Sequence, residues 1–254
     1  IGLGLLLKAW PLLGRVPLSE LLFSAVWRPL KGQFGLYSFI VGTMSVTLLA
    51  MALAVPVCLL TAIYLSEYAP RRVRNAFRLV MDILAGVPSV IYGVWGMLAV
   101  VPLVRELGRL AGHDTTGFSL LAGGVVLAIM VTPVIVAVSL EVFQAVPLHA
   151  REAALALGAT RWEMVRHVLL RRSARGVVAA VGLGFARAFG ETMAVLMVVG
   201  NVARVPDSLF APVHPLPALI ANNYGEMMSI PLYDGALLLA ALILLVVVTG
   251  FNLL

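Results

Sequence analysis

The feature that most constrains the fold of this chain is its alternation of long apolar runs with short stretches rich in arginine, proline or glycine. The clearest run extends from Tyr37 to Ser66 and contains no charged residue. A helix needs about 20 mainly apolar residues to cross a bilayer. Several such runs in one chain therefore predict an all-α protein, a polytopic membrane helical bundle.

Composition supports this prediction, because 61% of the 254 residues are hydrophobic and only 12% are charged. A soluble domain is about 45–50% apolar and about 25% charged, so this chain lacks the polar side chains that would cover a soluble surface. Cys58 is the only cysteine, which excludes an intrachain disulfide and a cysteine-based metal cluster. Since no histidine has a metal-ligand spacing such as HExxH, we predict no metal site.

Hydropathy along the chain predicts about six transmembrane helices. They cover residues 1–13, 37–66, 79–104, 119–143, 174–200 and the stretch from 232 onward. The chain opens on Ile1 and closes at Leu254 within an apolar run. We therefore expect trimmed ends, and we interpret 1–254 as a single transmembrane domain.

The positions of lysine and arginine predict the orientation in the membrane. Ten of the 18 basic residues fall in segments 67–78 and 144–176, against three in segments 105–118 and 201–231. Cytoplasmic loops carry an excess of basic residues, so loops 67–78 and 144–173 are predicted to be cytoplasmic. Most of the net charge of +6 is then loop charge, and no nucleic-acid partner is predicted, because no basic patch is interleaved with aromatic residues.

The cytoplasmic segment 144–173 is predicted to contain a short helix between Pro147 and Gly158. Proline suits the start of a helix, and glycine suits the left-handed position after its end. A helix with so little side-chain bulk can enter a groove on another protein, or it can pack on its own bundle. Its small and charged residues include Arg151, Glu152, Ala153 and Ala154.

The sequence Glu152-Ala153-Ala154, followed by Gly158, resembles the EAA motif of the permease subunits of ABC importers. The resemblance implies the type I (MetI-like) permease fold, with a coupling helix in loop 144–173 that docks on a separate ATPase subunit. It assigns that docking to Arg151, Glu152, Ala153, Ala154 and Gly158. Beyond the motif, Arg171 stands where the family usually has proline.

Three further elements resemble the PstC-type permeases of phosphate-specific importers. They are Gly32-Gln33-Phe34-Gly35, Gly86-Val87-Pro88-Ser89 and the run from Arg187 to Val195. This resemblance implies a cell-membrane location (inner or plasma membrane). It implies as partners a homologous second permease in a heterodimer, a dimer of ATP-binding subunits and an external phosphate-binding protein.

The same resemblance implies that ATP and Mg²⁺ bind to the partner ATPase, with no cofactor in this chain. The residues agree with that expectation, because a P-loop ends in Gly-Lys-Ser/Thr. Lys8 and Lys31 are the only lysines, and each follows a leucine. We therefore predict a non-catalytic membrane subunit.

Two ionisable residues, Arg187 and Glu191, lie within the predicted fifth span. Because they are four residues apart, they are predicted to share one helix face. A charge at membrane depth is retained where it faces protein or a water-filled cavity. One interpretation is an internal ion pair. The other is a substrate pathway in which Arg187 binds an oxyanion and Glu191 keeps that binding weak enough for release, with Thr192 and Ser89 as further hydrogen-bond donors.

The preferred hypothesis is a permease subunit of a phosphate importer, and three alternatives stay open. A sulfate, molybdate or tungstate permease could also use Arg187. An ion-coupled secondary transporter could use Glu191 as a proton carrier. A membrane-embedded enzyme ranks last, because the spans contain no nucleophile–base pair and no set of metal ligands.

Overall fold

The structure is a computed structural model that describes residues 2–225, 230 and 232–253. Within these residues the chain is mainly helical, and its one sheet has two short antiparallel strands. The predicted all-α class is therefore confirmed. The ends at Ile1 and Leu254, on which the expectation of trimming rests, lie outside the described residues.

The first half of the chain runs from the N-terminal helices to the third long apolar run. Its elements are α1 (Gly2–Leu13), α2 (Leu18–Phe23), β1 (Trp27–Arg28), a 3-10 turn (Pro29–Lys31), β2 (Gln33–Phe34), α3 (Tyr37–Glu67), α4 (Arg71–Gly86), α5 (Ser89–Trp95), a π-helical stretch (Gly96–Val100), α6 (Val101–Leu110) and α7 (Leu120–Gln144).

The second half contains the short helices of segment 144–173, an interrupted helix and the last apolar run. Its elements are α8 (Leu148–Ala156), α9 (Arg161–Met164), a π-helical stretch (Val165–Leu169), α10 (Leu170–Phe189), α11 (Met193–Leu196), α12 (Leu216–Asn223) and α13 (Tyr233–Leu253). The predicted loop 201–231 thus contains a helix, and residues 226–229 and 231 of it lie outside the described residues.

Four helical stretches in the described part of the chain are long and apolar enough to cross a membrane. They are Tyr37–Glu67, Ser89–Leu110, Leu120–Gln144 and Tyr233–Gly250. The predicted spans at 37–66, at 119–143 and from 232 onward agree with three of them. The predicted span at 1–13 corresponds to α1, which is apolar but shorter than a full crossing.

The predicted third span, 79–104, begins too early. Residues 71–86 form α4, which is amphipathic, and the helix then breaks at Val87. The residue before a proline is driven into extended backbone, and Val87, which precedes Pro88, has φ −69° and ψ 128°. The apolar crossing therefore starts at Ser89 and continues to Leu110.

The predicted fifth span, 174–200, is also wrong as one continuous helix. The helix α10 already begins at Leu170 and ends at Phe189, and the short α11 follows only at Met193. The predicted span treats residues 190–192 as helical, but in the structure the α-helix is interrupted there.

Contacts divide the chain into two compact units. The first unit takes its residues from 1–50, 88–127 and 186–254. In it α1 packs along α13, and Trp27 stacks edge-on against Phe34 and Phe39 at centroid distances of 5.8 and 5.0 Å. Gly35, next to this aromatic cluster, has no room for a side chain, because a Cβ atom there would lie 2.3 Å from the carbonyl oxygen of Ser24. The Gly32–Gly35 element therefore has a structural role in the turn.

The second unit takes its residues from 51–87 and 128–185. Its core depends on close approach between α7 and α10. A Cβ atom at Gly184 would lie 2.5 Å from Cγ1 of Ile135, and one at Gly176 would lie 2.4 Å from Cγ1 of Val142. Small residues at such contacts let membrane helices pack closely.

Candidate functional site

The predicted short helix of the loop 144–173 is present as α8, and its termination depends on Gly158. The N–H of Gly158 donates to the carbonyl of Leu155 (3.0 Å), and the N–H of Ala159 donates to that of Ala154 (3.2 Å). These two bonds form a Schellman motif, which requires left-handed backbone at the glycine position. Gly158 has a φ of 88°, so the prediction of a helix between Pro147 and Gly158 is confirmed.

A capping box then starts α9. The hydroxyl of Thr160 accepts a hydrogen bond from the N–H of Glu163 (3.3 Å), and the Glu163 carboxylate accepts one from the N–H of Thr160 (2.8 Å). The Thr160 hydroxyl also donates to the same carboxylate (2.8 Å). The backbone bond first, and the hydroxyl bond second, lower the pKa of Glu163, because both stabilise its charged form. The turn between α8 and α9 is therefore held at both ends.

Large apolar side chains project into solvent around α8. Leu157 is 89% exposed, Leu148 66% and Trp162 53%. Among the predicted docking residues, Glu152, Ala153 and Gly158 are also exposed, and Ala154 is half-buried. An exposed apolar patch of this kind, with little side-chain bulk at its centre, is typical of a surface that another protein covers.

Arg151 is the exception among the predicted docking residues, because its side chain turns inward. Its Nη1 lies 2.6 Å from Oε1 of Glu67, and the two side chains are only 14% and 7% exposed. Its Nη2 donates to the carbonyl of Phe143, in the last turn of α7. The structure thus places Arg151 in an internal ion pair at the C-terminal ends of α3 and α7.

Arg187 and Glu191 do not share one helix face, contrary to the sequence prediction. The chain leaves the helix after Phe189, and the Glu191 carboxylate accepts a hydrogen bond from the N–H of Ala194 (3.3 Å). A carboxylate that binds the free N–H groups at a helix start stabilises that start. No ion pair joins Arg187 to Glu191 among the described residues, so the internal ion-pair interpretation is wrong for this structure.

Glu191 and Thr192 both belong to the turn between α10 and α11. Glu191 borders a cavity of about 10 Å³ that Thr43 and Thr47 also line, which is space for about one water molecule. The half-buried Thr192 donates to the carbonyl of Gly190 (3.4 Å). Both predicted pathway residues therefore have local structural roles.

The first unit also contains a polar side chain that the sequence analysis missed, Tyr92, which is buried on α5. The signal available in the sequence was a hydroxyl within an apolar run, three residues after Ser89. Ser89 itself begins α5 and is half-buried.

The position of Tyr92 depends on close packing between α5 and α11. At the adjacent Gly93, a Cβ atom would lie 3.2 Å from Cα of Ala194 and 2.7 Å from Sδ of Met197. This contact brings the first turns of α5 next to the turn that carries Glu191. Arg187 and Tyr92 therefore supply one cationic and one hydroxyl group to the same part of the first unit, a combination that can bind an oxyanion.

Comparison with known proteins gives a consistent family assignment. A family model described as "Binding-protein-dependent transport system inner membrane component" matches residues 54–254. The phosphate transport system permease protein PstC of Xylella fastidiosa is 38% identical over 240 residues, which is 89% of this chain and 74% of that protein. The PstC of Haemophilus influenzae is 37% identical, over 98% of this chain and 83% of its own length.

Solved structures show the fold. A chain in an inward-facing structure of the MetNI methionine ABC transporter aligns with a TM-score of 0.62 at 20% identity, over 84% of this chain and 88% of that one. A chain of an amino acid ABC transporter solved with histidines aligns with a TM-score of 0.55 at 18% identity, over 85% and 88%. The predicted MetI-like permease fold is therefore confirmed.

Proposed function

Because this chain belongs to the family of binding-protein-dependent transport system inner membrane components, we propose that it is a permease subunit of an ATP-driven phosphate importer. The main observation that supports phosphate as the substrate is the identity of 37–38% with PstC proteins over most of the chain. The position of Arg187 supports it, because a multiply charged anion needs a fixed positive charge on its way through an apolar bundle.

In this proposal Arg187 binds the phosphate through its guanidinium, and Tyr92 donates a hydrogen bond beside it. Glu191 shapes the pathway by holding the first turn of α11 in place. Thr192, in the turn between α10 and α11, and Ser89, at the start of α5, border the same region. A single cation with few donors binds an anion weakly enough to release it, which a transport pathway requires.

The cytoplasmic loop is proposed to couple this subunit to ATP hydrolysis in another chain. The exposed apolar residues around α8 dock in a cleft of an ATP-binding subunit, and Glu152, Ala153, Ala154 and Gly158 form the low-profile centre of that contact. ATP with Mg²⁺ is bound by the partner and supplies the energy of the cycle. This chain is a non-catalytic subunit in that scheme.

The other proposed partners are a homologous second permease, which completes the pathway, and an external phosphate-binding protein, which delivers the substrate. Loops 67–78 and 144–173 face the cytoplasm in this arrangement, because they hold most of the arginines. The family description, an inner membrane component of a binding-protein-dependent transport system, supports a substrate-binding protein as a partner.

The proposal is tested by uptake of radiolabelled phosphate into proteoliposomes that contain the whole complex. We expect uptake that requires ATP and the binding protein, and that excess sulfate, molybdate or tungstate does not reduce. If sulfate competes and unlabelled phosphate does not, the substrate is sulfate and the assignment to phosphate is wrong. Uptake that continues without ATP but stops when the proton gradient is dissipated would indicate a secondary transporter.

The variant Arg187→Gln is the sharpest test of the pathway. It removes the fixed positive charge but keeps a polar side chain of similar length, so we expect loss of at least about 90% of uptake, since removing one charged partner of a bound anion costs about 1.5–3 kcal/mol. The complex should still co-purify with its ATPase. Normal uptake by this variant would exclude Arg187 from the pathway.

A further inference from the structure

The cytoplasmic end of α3 is a junction where arginine side chains from two other helices and a backbone carbonyl from a third converge. Glu67 is the last residue of α3, and its carboxylate accepts hydrogen bonds from Arg151 (2.6 Å) and from the hydroxyl of Ser66 (2.7 Å). The carboxylate is almost fully buried. A buried carboxylate is stable only when such donors satisfy it, so Glu67 depends on Arg151.

Arg151 connects α8 to two membrane helices at once. One nitrogen of its guanidinium binds Glu67 at the end of α3, and the other binds the carbonyl of Phe143 in the last turn of α7. The last carbonyls of a helix have no partner within the helix and carry its negative dipole end, which favours a cation there. The planar fork of arginine can make both contacts together, whereas lysine has only a single point charge.

The fourth helix of the junction is α4. Arg74 donates to the carbonyls of Leu65 (2.7 Å) and Ser66 (3.0 Å), at the same end of α3. The junction therefore joins α3, α4, α7 and α8 through two arginines. All of these contacts lie within the second compact unit.

The energetics of the pair indicate a positional role. Taking two charges out of water costs about as much as their attraction returns, so a buried ion pair is weak evidence for stability. In the described part of the chain the Nε of Arg151 is also buried without an acceptor, which adds to the cost. A side chain that only stabilised α8 could do so more cheaply by apolar packing.

We propose that the Glu67–Arg151 pair is the rigid joint through which movement of α8 passes to α3 and α7. Arg151 is a positioning residue that acts through Glu67 and not a contact of the ATPase. This proposal rests on the proposed function, because it assumes that α8 docks on an ATP-driven subunit. It assigns the ion pair to the transmission of movement and leaves docking to the exposed residues around it.

The first experiment measures phosphate transported per ATP hydrolysed by the reconstituted complex. We expect Arg151→Gln and Glu67→Gln each to lower this ratio about fivefold or more, within the range reported for residues that couple distant sites. The ATPase should co-purify in the same amount as with the unaltered chain. Loss of co-purification in Arg151→Gln would overturn the proposal, because it would make Arg151 a docking residue.

A double-mutant cycle tests whether the two residues act as one pair. The variant carrying both substitutions should be no worse than either single variant, because both singles break the same contact. If the losses in the ratio of phosphate to ATP from the two single variants add up in the double variant, the proposal of a joint is wrong. The exposed pair Glu106 and Arg109, at 3.1 Å, is the matched control, and Glu106→Gln and Arg109→Gln should leave the ratio unchanged, as expected for a surface ion pair.

The second experiment does not depend on the substrate. Spin labels are attached at Tyr64→Cys on α3 and His149→Cys on α8, both exposed positions, in a Cys58→Ala background. With an intact pair the label distance should be the same with and without ATP, and in Arg151→Gln it should differ between the two. A distance that changes with ATP in the unaltered pair would overturn the joint even if the transported ion is not phosphate.

Should Arg151→Gln fail to accumulate, Arg151→Lys keeps the proposal testable. Lysine retains the charge opposite Glu67 but cannot hold the carboxylate and the Phe143 carbonyl in one planar fork. We expect normal assembly with an intermediate ratio of phosphate to ATP. A ratio equal to that of the unaltered chain would show that the link to α7 has no part in transmission.

Discussion

At the scale of single residues, the loop 144–173 depends on a glycine whose backbone conformation other residues adopt only at a cost. Gly158 has a left-handed backbone, and no atom within 4 Å would meet a Cβ atom there. The requirement for glycine is therefore conformational and not steric. Asn is the side chain that tolerates this conformation next best, which provides a matched comparison.

We predict that Gly158→Val weakens coupling and Gly158→Asn does so much less. A β-branched residue in left-handed backbone costs at least about 1–2 kcal/mol, so the Schellman motif should open and the turn toward α9 should shift. The measurement is phosphate uptake per ATP hydrolysed. Equal losses in both variants would point to lost space on the docking surface and not to the backbone.

His214 provides a pH-dependent prediction in the segment between the last two long helices. Burial lowers its pKa from 6.5 to about 4, and its ring stacks edge-on against Phe39 at 5.1 Å. The folded state therefore holds His214 neutral. Below pH 6.5 the His214 side chain binds a proton in the unfolded state but stays neutral in the folded state. The free energy of unfolding therefore falls by about 3 kcal/mol between pH 6.5 and pH 4.

This prediction is checked by the melting temperature of the purified protein between pH 7 and pH 4.5. In His214→Gln the part of the decline that begins near pH 6.5 should be smaller, because glutamine does not titrate. An identical pH profile in both proteins would show that other groups control the acid sensitivity.

At the scale of elements, two features depend on what the helices pack against. Three of the apolar runs could be placed from the sequence, because their length and hydropathy are local properties. The break between α10 and α11 could not, because glycine is tolerated inside membrane helices when neighbours satisfy the backbone. Beyond this break the N–H of Ala194 donates to the Glu191 carboxylate at the start of α11, a contact that helical periodicity does not reveal.

The packing of α10 on α7 leads to a stability prediction. In Gly176→Ala the new methyl group would overlap Val142, whose branched side chain has one strongly preferred rotamer in a helix. We expect a loss of about 1–3 kcal/mol, as for overpacking in a close contact. The measurement is the melting temperature in detergent, with Gly86→Ala as the control, because no atom lies within 4 Å of a Cβ there. Equal melting temperatures for both variants would exclude close packing at Gly176.

At the scale of the whole molecule, the orientation in the membrane is a prediction from the arginine distribution alone. It places Leu157 beside α8 in the cytoplasm and Leu30, at the tip of the β1–β2 hairpin, on the outer side. Both side chains are 89% exposed. Each can therefore report the side of the membrane on which it lies.

We predict opposite labelling of these two positions by a membrane-impermeant maleimide, in a Cys58→Ala background. Leu30→Cys should react in cells with a permeabilised outer envelope and an intact inner or plasma membrane. Leu157→Cys should react only in inverted vesicles. The reverse pattern would invert the topology and with it the assignment of α8 to the ATPase side.

The sequence by itself determined the class of protein, most of the apolar crossings, the turn at Gly158 and the family resemblance. These follow from properties that are local in the chain: hydropathy, the backbone freedom of glycine and a contiguous motif. Only the tertiary structure decided which charges meet. It separated Arg187 from Glu191 and joined Arg151 to Glu67, which is 84 residues away. The physical reason is that an ion pair depends on distance in space, and spacing along the chain predicts that distance only while the helix between two residues is unbroken.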